Sequence, residues 1–596
     1  MTRPRLELAV GITGHRASNL AGVDLRALGA EVSNILSQLS TSLNAVGQLH
    51  RADFDPAPPR LRLLSALADG ADSLVAEAAL AAGWRVDACL PFPREDYAKD
   101  FEAGPSLQTY IDLLSSAGAV MELPGARADE VAAYEAVGRL ILDQSDLLIA
   151  LWDGDPNRGR GGTSRVIAEA IARRIPVIHL PTHAAGAARI LWSGFESVDF
   201  DQPGIDDVPQ MAAAETLPKV VAALTEPPQQ EIDRRMLQQF HAEPSLRGMP
   251  SMAYPILLAA TGVRSLSRRD LQPVRAVDGI EALGAPLLDS RIDPDFFALI
   301  ARRYQVADTT GTHFGQVFRS GFVSNYLLAG LAVVLALSGL LAPAFKLPLI
   351  FAELGCVALI LINTQAGKRL GWHERWMDNR HLAEQLRSLA LSSLMGDLGL
   401  RSTTGTRDAA AIPGWVGWLT RATARETGLP GVRVDEDYLR TVRDDAVKLI
   451  DDQLAYHRAN ATRMQKLEHR LNRLGEIMFG ATVAGCVGWI VFKLSGLPMG
   501  TKGHVGLTEV VTFATAALPA LGSAIYGVRN QGDFAGGGFR SEVTVERLAS
   551  LRRAMVADRL EHQRLLARLR SLSDIMLSDV ANWRTTFKAR PLTLPG

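Results

Sequence analysis

Four long stretches without charge constrain this chain more than any other feature. Residues 320–345 carry no charged side chain, 347–367 carry only Glu353, and 477–492 and 510–528 carry none. A helix crosses a bilayer with about 20 apolar residues, and helices of a soluble core seldom run so far without a charge. The four stretches read as membrane spans. The third is short, but Lys493 at its end can reach the interface and extend it. Ala342–Pro348 turns the first pair and Ser495–Gly506 the second, which predicts two hairpins.

Basic residues near the span ends set orientation. Arg302, Arg303, Arg319, Lys368, Arg369, Arg375, Arg470, Arg473, Arg529 and Arg540 fall on one side, against Lys346, Lys493 and Lys502 on the other. That bias predicts a multi-pass protein of the cell inner membrane with both termini cytoplasmic. The first ten residues lack the apolar core of a signal peptide. A formal net charge of -1 speaks against a nucleic-acid partner. Cys89, Cys356 and Cys486 are too far apart for metal-ligand spacing and do not form a disulfide framework.

The two hairpins look like copies. Tyr304-Gln-Val-Ala-Asp308 precedes the first and Tyr456-His-Arg-Ala-Asn460 the second. Ala383-Glu-Gln-Leu-Arg-Ser-Leu389 follows the first and Val545-Glu-Arg-Leu-Ala-Ser-Leu551 the second. Repeated order at this scale marks a repeated module. Near the C-terminus Leu565, Leu569, Leu572, Met576, Val580 and Trp583 recur at steps of three or four, an apolar stripe that suits packing within the chain or assembly between chains.

The first 200 residues alternate strand and helix. Strands are predicted at Leu6–Ile12, Leu61–Leu67, Arg85–Leu90, Leu147–Trp152 and Pro176–Leu180, with helices at Leu25–Leu43, Ser73–Ala82, Glu130–Gln144 and from Thr163 to Arg174. This order predicts an α/β, doubly wound, mostly parallel Rossmann-like sheet, followed by an all-α membrane region. In such sheets ligands bind at the carboxyl ends of the strands, and free N–H groups at helix starts attract phosphate. The candidate ligand-binding residues cluster there: Gly11, Thr13, Gly14, His15 and Arg16 after the first strand, Asp69 and Gly70 after the second, Trp152 and Asp153 after the fourth, then Gly161, Gly162 and Thr163. Arg16 suits a phosphate. Asp72 reads as a helix cap, and Asp69 as a cap or a ligand group.

Gly11-Ile-Thr-Gly-His-Arg16, Leu67-Ala-Asp-Gly-Ala-Asp-Ser-Leu-Val-Ala-Glu-Ala78, Leu148-Ile-Ala-Leu-Trp-Asp-Gly154 and Gly161-Gly-Thr163 together resemble the SLOG superfamily. That Rossmann-like group includes lysine-decarboxylase-like hydrolases and sensor domains that bind nucleotide-derived signals in bacterial conflict systems. The hairpins, with Trp376, Arg380, Glu384, Leu386 and Arg387 in the trailing helix, resemble the two-helix SLATT membrane modules. The resemblance implies a pore-forming or membrane-damaging effector in antiviral defence. One departure stands out. The hydrolytic members carry Gly-Gly-x-Gly-Thr-x-x-Glu, whereas here Val166 stands at the place of the acid and Glu169 follows one turn later. That departure favours binding without turnover.

The expected organisation is a ligand-binding domain over 1–200, an extension without a fold assignment over 201–300, a first membrane module over 301–400, a connecting helical segment over 401–455 and a second module over 456–596. The leading expectation is a ligand-gated membrane effector, a homo-oligomer whose partners are a nucleotide-derived signal and the bilayer, with no resident cofactor, metal or catalytic residue. Two alternatives stay open. One is a membrane-anchored nucleotide or NAD hydrolase using Glu169 or Asp153. The other is a constitutive channel or transporter lined by Glu353, the charge inside a predicted span.

Overall fold

A computed structural model describes residues 3–595 except 156–161, 183–186, 195–203, 243–250, 272–282, 284–291, 293, 400–412, 496–505 and 589. Gly161, Lys502 and most of the second hairpin turn lie outside the described residues.

The strands are β1 (Glu7–Gly14), β2 (Arg60–Ser65), β3 (Arg85–Leu90), β4 (Val120–Glu122), β5 (Leu147–Trp152), β6 (Val177–Pro181), β7 (Arg189–Leu191), β8 (Gln210–Ala212) and β9 (Val432–Arg433). They form one nine-stranded sheet in the order β8-β7-β6-β5-β1-β2-β3-β4-β9. β1 to β6 and β9 pair parallel. β7 and β8 pair antiparallel at one edge, so the expected parallel sheet is a mixed one. Its helices are α1 (Leu25–Leu49), α2 (Ala71–Ala81), α3 (Arg94–Tyr97), α4 (Pro105–Ser116), α5 (Glu130–Gln144), α6 (Thr163–Ala172) and α7 (Ala213–Thr225). α1 contacts α2 and α7, α2 contacts α4, and α5 contacts α6. Right-handed crossovers place these two groups on opposite faces. All six residues of β5 are buried, as expected for a central strand covered on both sides.

The sheet does not end near residue 200. β8 and α7 extend it, and Leu217, Val220 and Val221 of α7 join its core. β9 comes from far along the chain and closes the other edge: Met121 pairs with Val432 and Glu122 with Arg433.

The rest is helical: α8 (Glu231–Ala242), α9 (Ala253–Ala260), α10 (Ala298–Leu341), α11 (Lys346–Arg369), α12 (Trp372–Ser393), α13 (Gly414–Thr427), α14 (Glu436–Leu494), α15 (Leu507–Gly532), α16 (Phe534–Ala557) and α17 (His562–Lys588). Four helices, α10, α11, α14 and α15, are long and apolar enough to cross a membrane, and their most apolar windows are little buried within the protein. At about 1.5 Å per residue, the 59 residues of α14 reach roughly 90 Å, far beyond a bilayer's apolar thickness.

The two modules share one layout. α10 pairs with α11 and α14 with α15; α12 then packs back on α10, and α16 on α14. The joint between returning and trailing helix is left-handed in both, at Gly371 (φ 61°) and at Asp533 (φ 47°). Glycine adopts that conformation without penalty, and Asp is among the residues that tolerate it. Asp533 is further held by Arg540 at 2.9 Å. The short motifs before each hairpin face its trailing helix: Asp308 meets Arg380 at 3.2 Å, and the Asn460 amide donates to Ser541 Oγ at 2.9 Å.

Within the first hairpin Asn325, Asn363 and Thr364 bond one another. The Asn325 amide donates to Thr364 Oγ1 at 2.9 Å, and the Asn363 amide donates to Asn325 Oδ1 at 2.7 Å. Polar groups in apolar surroundings must find partners in the protein, and these do. Glu353 is half-buried on α11, and among the described residues it meets no cation. The C-terminal stripe is covered by its own chain: Leu565, Leu569, Leu572, Met576 and Val580 are buried, and the Trp583 ring lies 4.5 Å from that of Trp376. Packing within the chain thus accounts for the stripe.

Candidate functional site

The sheet reverses direction at β1. From there the chain builds β2, β3 and β4 to one side, then crosses to β5 and β6 on the other. The β1/β5 boundary is therefore the topological switch point, and the crevice outside its carboxyl ends is where ligands of such sheets bind.

His15 lies at that point. It is buried, and its N–H donates to Leu151 O at 3.1 Å, tying the β1 exit to β5. Its Nε2 receives the Asp153 N–H at 3.1 Å and lies 3.2 Å from Asp153 Oδ1. Two atoms of Asp153 thus reach this nitrogen and tie the His15 ring to the exit of β5. Asp153 Oδ1 also accepts the Asp155 N–H at 3.1 Å, an Asx turn that shapes the exit of β5.

The β2 exit is laced to the β1 exit. Ala17 N–H donates to Asp69 O at 3.1 Å, and Ala71 N–H to His15 O at 3.0 Å. Gly70 makes this possible. Its φ is 114°, and a Cβ there would stand 2.5 Å from Ala17 N and 2.7 Å from His15 O. Gly14 lets α2 and β5 come close, since its Cβ would lie 2.4 Å from the Ala71 Cβ. Asp69 accepts the Ser106 hydroxyl at 2.8 Å.

Asp72 is not the cap of α2. It sits in the first turn with a buried carboxyl, while Ser73 Oγ accepts the Gly70 N–H at 3.2 Å. Burial raises the Asp72 carboxyl to about 7, against backbone hydrogen bonds from Ala68 and Ala66 and the charge of Arg16, which pull it down.

Arg16 is exposed and leans over the crevice rim. Its guanidinium lies 4.7 Å above the Tyr134 ring and 3.9 Å from Asp100. Tyr134 donates to Asp100, which also pairs with Arg127, and Arg127 in turn covers the Phe92 ring at 4.2 Å. Sequence reasoning misses this rim. Tyr134, Asp100 and Arg127 belong to segments with no glycine-rich turn, and only the fold of β3, β4 and α5 brings them beside Arg16.

On the β5 side Gly162 precedes α6 and Thr163 begins it, both half-buried, and no side-chain hydrogen bond caps the helix start. Its first N–H groups are suited to an anion. Val166 is packed against Gly138, whose Cβ would stand 3.0 Å from Val166 Cγ2. Glu169 pairs with Arg173 on the same helix.

The predicted residues thus divide. Gly14, His15, Arg16, Asp69, Gly70 and Asp153 are brought together at the exits of β1, β2 and β5, with half-buried Thr13 just before them and Gly162 and Thr163 at the start of α6. Gly11 and Trp152 serve packing. A Cβ on Gly11 would stand 2.6 Å from Ser145 Oγ and 2.8 Å from Ile141, under the end of α5. The Trp152 ring is buried beneath α6, 5.3 Å from the His179 ring. Among the described residues no group of His, Cys, Asp and Glu has the arrangement of a metal site. No protein-family model and no curated protein matches the chain, so the reading of this site rests on its geometry.

Proposed function

We propose that the chain is a ligand-gated membrane effector. A nucleotide-derived signal occupies the switch-point crevice, with its phosphate toward the start of α6 and Arg16, and biases the packing of the membrane helices. Permeability or depolarisation of the inner membrane follows, in the manner expected of an antiviral defence effector. Assembly of several copies in the bilayer completes the pore.

The observation that carries this reading is the path from the sheet to a span. β9 lies on the sheet edge, and after it Asp435 caps α14 by accepting the Tyr438 N–H at 2.9 Å. α14 then runs unbroken from Glu436 to Leu494, and its far end is the apolar stretch 477–492. A second path uses α5. Tyr134 near its start touches Arg16 at the crevice, and Gln144 at its end donates to Gly396 O at 2.7 Å beyond α12. A ligand shifts an equilibrium only by binding one state better than the other, and both paths give a change at the crevice a rigid route to the helices.

The test is efflux of a trapped dye from liposomes holding the full-length protein, against a panel of nucleotides, cyclic dinucleotides, NAD and ADP-ribose derivatives. One compound should trigger release, and His15→Ala and Gly162→Trp should abolish it. Gly162 has ordinary backbone angles, so the bulky residue fills the crevice without straining the turn. Conversion of the compound to product by the protein would replace this reading with that of a hydrolase. Inserted protein that stays closed to every compound would remove it.

A further inference from the structure

A second site lies outside the sheet. Between the two helical modules is a cavity of about 400 Å³, within the size range of pockets that hold small ligands. α10, α12, α14 and α16 wall it, with α9 and α17 closing the sides. It sits at the end of the spans nearest the sheet. Arg319 on its wall directly precedes the charge-free stretch 320–345, and Gly532 ends α15.

The charges around this cavity do not cancel locally. Each lining carboxylate already has a partner. Asp270 pairs with Arg264, Asp533 with Arg540, and Glu384 with Arg380; Asp579 accepts the Thr544 hydroxyl. Arg319 and Arg463 have no carboxylate among the described residues. Arg319 instead lies over two rings, 4.8 Å from that of Trp376 and 5.6 Å from that of Tyr254. Arg264, Arg319 and Arg463 line this one cavity together with Tyr254. Two guanidinium groups without counter-charge, in a recess with aromatic walls at a membrane surface, suit an anion with forked hydrogen-bonding geometry. Basic recesses between membrane helices bind phosphorylated headgroups for this reason.

We propose that this cavity binds a phosphate ester at the membrane surface, through Arg319 and Arg463, and that it draws on both modules at once. The phosphate belongs to an anionic phospholipid headgroup or to a soluble ester, and the two sources are separable. Both modules line the cavity, so its occupant bridges them.

The experiment is native mass spectrometry of the full-length protein in detergent, titrated with phosphatidylglycerol, beside thermal shift with inorganic phosphate. Arg463→Gln is the principal variant, because that side chain is exposed and its loss leaves packing intact. Arg319→Gln/Arg463→Gln is the second. Wild type should retain phosphatidylglycerol, with affinity lowered roughly tenfold in Arg463→Gln and further in the double variant. Stabilisation by inorganic phosphate alone, lost in Arg463→Gln, would identify the soluble source. Equal behaviour of wild type and Arg463→Gln toward both probes would overturn the proposal. His15→Ala should leave this binding unchanged, which separates it from the crevice.

Discussion

At the scale of single residues, the crevice depends on a few positions where chemistry and backbone shape coincide. Gly70 is one. Any side chain there must adopt φ 114° and meet the backbone of Arg16 and Ala17, so Gly70→Ala should destabilise the protein by on the order of 1–3 kcal/mol, read as a fall in the thermal midpoint. Asp72 is another, and its effect depends on pH. Its carboxyl is raised by burial to about 7, so the folded state holds a proton that the unfolded state releases near pH 4. The stability from that proton is complete below about pH 4 and is lost as pH rises through about 7. The difference in melting temperature between wild type and Asp72→Asn should therefore change across this window and flatten outside it. A difference independent of pH would mean that the carboxyl is ionised throughout. His15, Gly70 and the start of α6 were legible in the sequence because glycines and polar residues at strand ends have few other uses. The rim of Tyr134, Asp100 and Arg127 was not, because its members become neighbours only when β3, β4 and α5 pack.

At the scale of elements, the segment between the two membrane modules is the surprise. It reads as a connecting helix, yet α13 docks beneath β1 and β5. Arg425 meets Asp146 at 2.9 Å, both buried, and Asp146 also accepts the Ala9 N–H of β1 at 2.9 Å. The Trp418 indole donates to Thr225 O at 3.0 Å at the end of α7. Removing one partner of a buried ion pair leaves the other charge stranded. Arg425→Ala should thus cost about 3–5 kcal/mol in chemical denaturation, far more than loss of an exposed pair such as Arg440 with Glu436. Comparable losses for both would show that the junction is open to water. The left-handed joints make a subtler test. Asp533→Gly keeps the turn and removes the carboxylate that holds Arg540, so it should be tolerated better than Asp533→Val, whose branched side chain resists positive φ. The paired motifs Tyr304–Asp308 and Tyr456–Asn460 pointed to this repetition. The shared joint became visible only in three dimensions, since Gly371 and Asp533 are unlike as residues and alike in backbone.

At the scale of the whole molecule, the α/β part is no separable domain. Its ninth strand, its α13 buttress and the Gly396 contact of α5 all come from beyond the first membrane hairpin. A fragment of residues 1–200 should therefore show exposed apolar surface and rapid proteolysis, whereas the full chain in detergent should protect β1 and β5 from hydrogen exchange. A stable, protected fragment would mean that the distant elements add nothing. What the sequence determined alone was every feature set by local composition: the spans, because a helix without charge has few other solvents, and the core strands with their glycine-bearing exits, because alternation with helices leaves little choice of sheet. What the tertiary structure decided was everything set by partners far along the chain: the antiparallel edge, the ninth strand, the buried Arg425–Asp146 pair and the arginine-lined cavity. A two-residue strand or a single buried arginine carries no local periodicity, and its meaning lies in what the fold brings against it.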